Sequence, residues 1–591
     1  MCFQCRSNFA SDTITECQGD TMLPPPTPPF ESRVMLNGAD QSFHPPRRPV
    51  ALYPLATQRE FWAFVFRFCV IAAAVFLVLY FFVKFTGKAD GAVAGPSGSS
   101  LSCDFNGDGF VTGEDFDAYV AAFRAGDASS DFNGDGFVTG EDFDAFTLAF
   151  GAVDGWTLYP LAEGAVEFRC FNDAQVKDAW TKIDRSRGDR ILLAAGQTFS
   201  SLGKLPFAGS PDRPMLIGRF GDGPNPVVQC RGTQPGLECS GGGGSPPSFY
   251  LQVVGLTFQT DRGDKDAASG IFFGRGGSLS IEGCSVVGFS DNLNVQGPAS
   301  APARFRLHRS YIGYAYSRDG SHSQGIYLQD LASAEITENV FDHNGWKDAA
   351  DRTIFNHNTY LSRGVRRVVL RGNLSVDASA TGLASNYESV IDRNLVVNCP
   401  VGIFFRPGSS VTDNVIVGSG DIAPDIQRGM GLQLLSVHPD DSGGFDGPIG
   451  PARIEGNIVA SKGPAVAGRE AAIIVNSNSD GLACPVFISN NIVFDWPNWP
   501  GILGGVNVDP SVPSKGNADP IAVDGHQFAP NGSPLSSWPA AGRTLDGYAK
   551  SIGLKGQAEF LARAAENRIG AWDEKLTGLA ARAWIAEGYG R

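Results

Sequence analysis

Asp104, Asn106, Asp108, Thr112 and Asp115 place oxygens at positions one, three, five, nine and twelve of a loop, and Phe110 adds a backbone carbonyl at seven. Hard Ca²⁺ takes six or more oxygens, and this spacing converges them on one point, with Gly109 making the sharp turn at six. The fifteen residues 104–118 recur unchanged at 131–145. The second loop therefore offers Asp131, Asn133, Asp135, Phe137, Thr139 and Asp142. Two bound Ca²⁺ are expected, one in residues 104–115 and one in 131–142.

A second group of residues could move protons. His322 is followed by Tyr327, and His357 by Tyr360. A His/Tyr pair on one surface can take a proton from C5 of a uronic acid and return one to the leaving oxygen, which is β-elimination. Residues 345–371 hold Lys347, Arg352, Arg363, Arg366, Arg367 and Arg371 against Asp348 and Asp351, a local net charge of +4 in an acidic chain. Such a segment suits the carboxylates or sulfates of a polyanionic glycan. Paired carboxylates for glycoside hydrolysis are harder to place, because Asp319, Asp330, Asp342 and Glu388 share no obvious register.

The elements that must position these groups show as a degenerate repeat over residues 155–520. Its pattern is apolar-x-x-Asn-apolar: Ile336…Asn339-Val340, Leu370…Asn373-Leu374, Ile391…Asn394-Leu395, Val411…Asn414-Val415, Ile454…Asn457-Ile458 and Ile488…Asn491-Ile492. Two earlier copies, Ile281…Cys284 and Leu307…Ser310, replace the Asn. Short β-runs at this period signal stacked coils, in which equivalent residues form ladders about 4.8 Å apart. The Asn column is then structural, each amide satisfying a neighbouring turn.

A second β-run per coil begins at Gly325, Asn358, Gly382, Gly402, Gly431 and Ala472. If Ile326, Thr359, Leu383, Ile403 and Leu432 point inward, Tyr327, Tyr360, Ala384, Phe404 and Gln433 point outward. Two positions on lie Gln329, Ser362, Asn386, Arg406 and Leu435. This face is expected to carry His357, Tyr360, His322 and Arg406 as catalytic groups. Tyr327, Phe404, Gln329, Asn358 and Arg363 would hold substrate, the aromatic rings serving as platforms for sugar rings.

Two family resemblances follow from these residues. No good helix precedes either metal loop, position twelve is Asp, and a helix follows at Phe116–Phe123 and Phe143–Phe150. In this the repeats resemble dockerin type I modules, calcium-loop-plus-helix units of secreted carbohydrate-active enzymes. The resemblance implies a cohesin-like protein partner. It departs at positions ten and eleven, Gly113-Glu114 and Gly140-Glu141, where many dockerins carry hydroxyls. The rungs, and the entry segment Gly188–Phe199, resemble the right-handed parallel β-helix of pectate-lyase-like proteins. That fold hosts lyases, hydrolases, epimerases and non-catalytic adhesins, so it implies no single chemistry.

The 591 residues carry a net charge of −15. Residues 101–150 hold eleven Asp/Glu against Arg124 alone and account for −10 of it. No global footprint for nucleic acid is present. Residues 61–83 form an apolar run with one charge, Arg67, long enough to cross a hydrocarbon core. Arg47, Arg48, Arg59 and Arg67 against Lys84 and Lys88 predict a cytoplasmic N-terminus. The expected localisation is single-pass in a bacterial inner membrane, with the bulk outside the cytoplasm. The alternative is secretion after cleavage at Ala92-Val93-Ala94.

Pro-rich residues 1–60 are expected to be a disordered tail, 84–102 a Gly/Ala/Ser linker and 103–150 the calcium module. Gln557–Arg568 and Lys575–Glu587, within residues 543–591, read as amphipathic helices covering the open C-terminal end of the coil. Among the cysteines, Cys230 and Cys239 flank a Gly-containing loop and are the best-placed pair for a disulfide. The fold class is thus mostly β: a right-handed parallel β-helix with a small α calcium-loop module, one transmembrane helix and a helical C-terminal cap. The expected function is eliminative cleavage of an acidic polysaccharide. The alternatives are glycoside hydrolysis on the same scaffold and non-catalytic glycan binding.

Overall fold

The computed structural model describes most of residues 161–530 and 543–591, together with 105, 113–132, 137–139, 142–143 and 146. From Glu167–Cys170 to Gln527–Pro530 the chain winds as a parallel β-helix. Among the described residues, three all-parallel sheets of 13, 12 and 11 strands run its length. Each coil visits them in the order sheet 1, sheet 2, sheet 3. The helix Asp173–Lys182, N-capped by Asn172, packs Val176 and Ala179 on the entry of the coil.

The turn from sheet 1 to sheet 2 is the Asn column. Asn339, Asn373, Asn394, Asn414, Asn457 and Asn491 are all fully buried. Each of the first five donates its Nδ2–H to the next one's Oδ1 at 2.9–3.0 Å. Each of those Oδ1 atoms also accepts the preceding Asn's backbone N–H. The residue before each ladder position takes a positive φ, as at Arg309, Glu338, Arg393, Asp413 and Asn490. A left-handed non-glycine residue costs about 1–2 kcal/mol. The ladder bonds over-determine the turn and hold it there.

Apolar columns fill the interior, and buried cysteines fill gaps among them. Cys230 and Cys239 both sit in this core as free thiols, so the disulfide expected between them is corrected. Cys230 follows the sheet 2 column and Cys239 the sheet 3 column, each as one more inward-facing small apolar group.

Sheet 2 explains the C-terminal segment. Its strands Leu374–Val376, Leu395–Val397, Val415–Val417 and Ile458–Ala460 are buried at all three positions. The middle residues face inward, so the flanking ones need cover from outside. Helices Leu545–Ser551, Gln557–Ala565 and Gly578–Gly588 supply it, joining Val376, Val397, Val415 and Ile458 in one apolar cluster. Arg309 lies over the Trp572 ring at 4.9 Å, Arg582 Nε donates to Asp413 O at 2.8 Å, and Arg591 donates to Asn490 O at 2.6 Å. These helices lie along the flank of the coil. The expectation that they cover its open end is corrected.

No helix among the described residues is long and apolar enough to cross a membrane. The transmembrane helix expected over 61–83, and the single-pass membrane localisation built on it, are therefore not supported and are corrected. That segment, the tail 1–60, the linker 84–102 and the cleavage site near Ala94 lie outside the described residues.

Candidate functional site

The outer face of sheet 3 carries the candidate site. The inward column Ile326, Thr359, Leu383, Ile403 and Leu432 is in register and buried, as the sequence predicts, and Leu293 extends it by one rung. Its outward neighbours Asn294, Tyr327, Tyr360, Ala384, Phe404 and Gln433 are likewise in register.

Before this column the alternation breaks. Asn358 and Thr359 are both fully buried. His357 and Tyr360 therefore emerge on the same side, with rings 5.0 Å apart and nearly parallel at 11°. Asn358 belongs to a second amide ladder: Asn292 donates to Asn344 and Asn344 to Asn358, each at 3.0 Å, and Asn358 to Ser375 Oγ at 2.9 Å. It supports the corner and does not face a ligand, so its expected substrate contact is corrected.

A groove of about 330 Å³ opens on this face. Four residues chosen from the sequence line it together: His322, Tyr327, His357 and Tyr360. Asp291, Asn294, Gln296, Gln324 and Phe355 complete its wall. Asp291, just before the strand Leu293–Gln296, and Asn294 within it escape the sequence reading, whose series of second β-runs begins only at Gly325. The signal that could have found them is the register: Asn294 is one rung from Tyr327.

The aromatic rings are arranged differently from the expected platforms. Tyr327 and Tyr360 stack on each other at 6.0 Å, and His322 stacks on Phe355 at 5.2 Å. Ring faces are thus partly spent on neighbouring rungs, and the groove meets ring edges and polar atoms as well as faces.

The other expected site residues lie apart from the groove or outside the description. Gln329 accepts the Tyr327 hydroxyl at 2.7 Å but does not line the groove. Phe404 lies two rungs beyond Tyr360, with the Arg406 guanidinium 5.2 Å over its ring. Arg406 also donates to Asn386 Oδ1 at 2.9 Å. Arg363 lies outside the described residues. The basic segment does not form one patch. Lys347 and Arg352 cover the rings of Tyr316 and Trp346, while Arg371 is in sheet 1, paired with Asp392 at 2.9 Å. A β-helix turns successive residues of one coil onto different faces, so a net charge counted along the sequence does not become a surface charge.

Burial, then the charges of Arg428 and His322, push His357 down to about 3. Its imidazole is neutral at ordinary pH, and its buried Nδ1 has no hydrogen-bond partner. Between that value and the 6.5 of an ordinary His, the unfolded chain binds a proton that the folded chain does not. Folding stability must then fall as pH drops through this window. His308, lowered mainly by its burial, acts in the same direction. Melting of His357→Gln should be less acid-sensitive than that of the parent chain between about pH 6 and 4. Identical slopes would show that the imidazole is better solvated than the geometry indicates.

A second polar cluster lies outside the groove. Asp342 is buried, accepts the Tyr311 hydroxyl at 2.8 Å and meets His343 Nδ1 at 2.6 Å. Asp377 lies 3.7 Å from His343 Nε2. Burial works against the His343 cation, but the Asp342 hydrogen bond and both carboxylate charges outweigh it and raise its pKa. These carboxylates are already engaged with the imidazole.

Of the tandem loops, Asp104, Asn106, Asp108, Phe110, Thr112, Asn133 and Asp135 lie outside the described residues, as does the side chain of Asp115. Phe137 is exposed, while Asp142 is buried and accepts the Thr139 N–H at 2.8 Å. Tyr119 and Phe146, equivalent positions of the two repeats, stack at 3.7 Å. Phe105 and Phe132, also equivalent, meet that pair edge-on at 5.3 and 5.2 Å. The two repeats thus share one small core. Burial, then the charges of Asp142 and Asp131, push Tyr119 up to about 12. The first and twelfth positions of the second loop therefore both act on one phenol. Among the described residues, which leave out most of the loop oxygens, no group of three or more acidic, His or Cys side chains is placed to hold a metal ion.

No family model and no curated protein matches the chain. Among solved structures, an alginate lyase from Paenibacillus sp. is similar at 15% identity and TM-score 0.24, over 62% of this chain and 96% of that one. A GH136 lacto-N-biosidase from Eubacterium ramulus is similar at 11% identity and TM-score 0.35, over 73% and 84%. A PL6 family polysaccharide lyase from Pseudopedobacter saltans is similar at 12% identity and TM-score 0.31, over 63% and 95%. At such TM-scores the overlap assigns neither activity nor substrate to this chain.

Proposed function

We propose that this chain is a carbohydrate-active enzyme that cleaves a uronate-bearing polysaccharide by β-elimination in the sheet 3 groove. The observation that carries the reading is the convergence of His322, Tyr327, His357 and Tyr360 on one cavity, with His357 held neutral. The adjacent Tyr360 ring fixes the plane of the neutral imidazole. The His357/Tyr360 pair supplies the proton-transfer groups, while the amides of Asn294, Gln296 and Gln324 offer neutral donors for the sugar's carboxylate and hydroxyls. Glycoside hydrolysis by a carboxylate pair is less favoured, because among the described residues Asp291 is the one carboxyl lining the groove.

The test is incubation of the full chain with a panel of acidic polysaccharides, following the absorbance of the unsaturated uronate. His357→Gln and Tyr360→Phe should each lower turnover by roughly 10²-fold or more. New reducing ends without that absorbance would identify a hydrolase. Binding without product would identify a glycan-binding protein.

The tandem loops are read as two Ca²⁺ sites, held by Asp104, Asn106, Asp108, Phe110, Thr112 and Asp115, and by Asp131, Asn133, Asp135, Phe137, Thr139 and Asp142. Bound Ca²⁺ would offset the mutual repulsion of these acids and contribute folding free energy to residues 101–150. Chelation should abolish amide protection in 101–150 and leave 161–591 unchanged. Equal protection with and without chelator would sink this assignment. A cohesin-like partner rests on the loop resemblance alone.

A further inference from the structure

The three rungs that line the groove differ in chemistry. Two are aromatic, carrying His322 with Tyr327 and Phe355 with His357 and Tyr360. The third, with Asp291, Asn294 and Gln296, is wholly polar. Asp291 is tied into this arrangement at both oxygens. Its Oδ1 accepts the backbone N–H of Gln324 at 3.0 Å, and its Oδ2 accepts Asn294 Nδ2–H at 3.1 Å. Asn294 Oδ1 in turn accepts Gln296 Nε2–H at 2.7 Å. On the far side, Gln324 Oε1 accepts the backbone N–H of His357 at 2.8 Å, and Gln324 Nε2 donates to Phe355 O at 2.7 Å. Gln324 thus holds the carboxyl and the His357/Tyr360 pair on opposite sides of one cavity. Among the described residues, no lysine or arginine lines it.

We propose that Asp291 is the general acid of the groove and gives its carboxyl proton to the glycosidic oxygen leaving C4, while the His357/Tyr360 pair takes the C5 proton. This rests on the β-elimination reading. The C5–H bond breaks, and its electron pair becomes the C4–C5 π bond. The C4–O bond breaks, and its pair takes the proton from Asp291. The Asp291 carboxylate is reprotonated from solvent after product leaves, and the base returns its proton to solvent. No oxidant or reductant is needed.

The protonation state of Asp291 suits its role. Burial raises Asp291 to about 6, against the hydrogen bonds from Gln324 and Asn294 that lower it. A protonated fraction therefore persists near neutral pH, where an ordinary aspartate is ionised. His357 is displaced the other way, so it stays unprotonated but is a weaker base than an ordinary imidazole. The other titratable groups facing Asp291 in the groove are His322, Tyr327 and Tyr360. Arg428 acts on the site through its charge at His357.

The experiment measures kcat/KM against pH for the full chain and for Asp291→Asn, on a polysaccharide that the parent chain cleaves. A second substrate, a uronide with a 4-O-aryl leaving group that departs without a proton, is measured in parallel. Asp291→Asn should lose roughly 10²-fold or more on the polysaccharide, lose the alkaline limb of the profile, and recover to within about tenfold of the parent on the aryl substrate. Unchanged activity, or equal loss on both substrates, overturns the assignment while leaving the lyase reading intact. A parent chain that forms no unsaturated product from any uronate polymer overturns the lyase reading and this proposal with it. Should Asp291→Asn fail to fold, Asp291→Glu keeps an acid at the site. It should retain activity with the alkaline limb displaced, and an unmoved limb overturns the proposal.

Discussion

Removal of residues 543–591 should turn a well-behaved chain into an aggregating one. Leu545, Phe560 and Ile585 are fully buried, and Tyr548, Leu561 and Leu576 nearly so, against the outer side of sheet 2. Each such side chain contributes about 1.5–3 kcal/mol of burial, an upper estimate because unfolded chains are partly compact. Deletion also strips cover from Val376, Val397, Val415, Val417 and Ile458, leaving a continuous apolar strip on a sheet face. Exposed strips of that kind associate. Size-exclusion chromatography and dye binding on the shortened chain read the effect directly. The point variant Phe560→Ala, at about 3–5 kcal/mol, should lower the melting temperature without abolishing folding. A truncated chain that stays monomeric and melts like the parent would show that the helices are only loosely docked.

Asn394→Leu is expected to be nearly as damaging, although it removes no apolar contact. Asn394 Oδ1 accepts both the backbone N–H and the Nδ2–H of Asn373 at 2.9 Å. Its Nδ2 donates to Leu370 O at 2.8 Å and to Asn414 Oδ1 at 2.9 Å. All four bonds lie in a fully buried turn, where an orphaned polar group costs about 1–3 kcal/mol. The loss should be on the order of 4 kcal/mol or more, read by denaturant unfolding. Asn394→Asp, which keeps an acceptor but loses the donor, should fall between the two. A Leu variant within about 0.5 kcal/mol of the parent would show that solvent reaches the ladder.

The sequence reveals most about this molecule where one physical constraint recurs on every coil. The Asn column is legible because each buried turn needs the same acceptor, and the inward column because a shift of one residue would turn every apolar side chain outward. From that register, Tyr327 and Tyr360 fall on the groove, and His322 and His357 follow. What fails depends on contacts between faces. Cys230 and Cys239 are close in sequence, but each faces the same filled interior as an ordinary core residue. The basic run 345–371 is dispersed by the coil's own turning. The cover over sheet 2 is implied by three-residue strands apolar throughout, a signal easily taken for core alone. Asp291 needs the most information of all, since its significance lies in a hydrogen bond to the next rung and not in its neighbours along the chain.

The spacing along the Asn column carries one more consequence. From Asn373 to Asn394 to Asn414 it is 21 and 20 residues, while from Ser310 to Asn339 to Asn373 it is 29 and 34. The surplus falls largely between Gly313 and Gln324 and between Asp342 and His357, the segments that lead into the two aromatic rungs of the groove. The ladder here is carried by the minimal coil, and the groove is lined from coils with surplus chain length. A descendant trimmed to the minimal period throughout would keep its ladder and lose its cavity. A groove on such a scaffold is portable: it can be lost or moved along the axis by changes in loop length, with no change of fold.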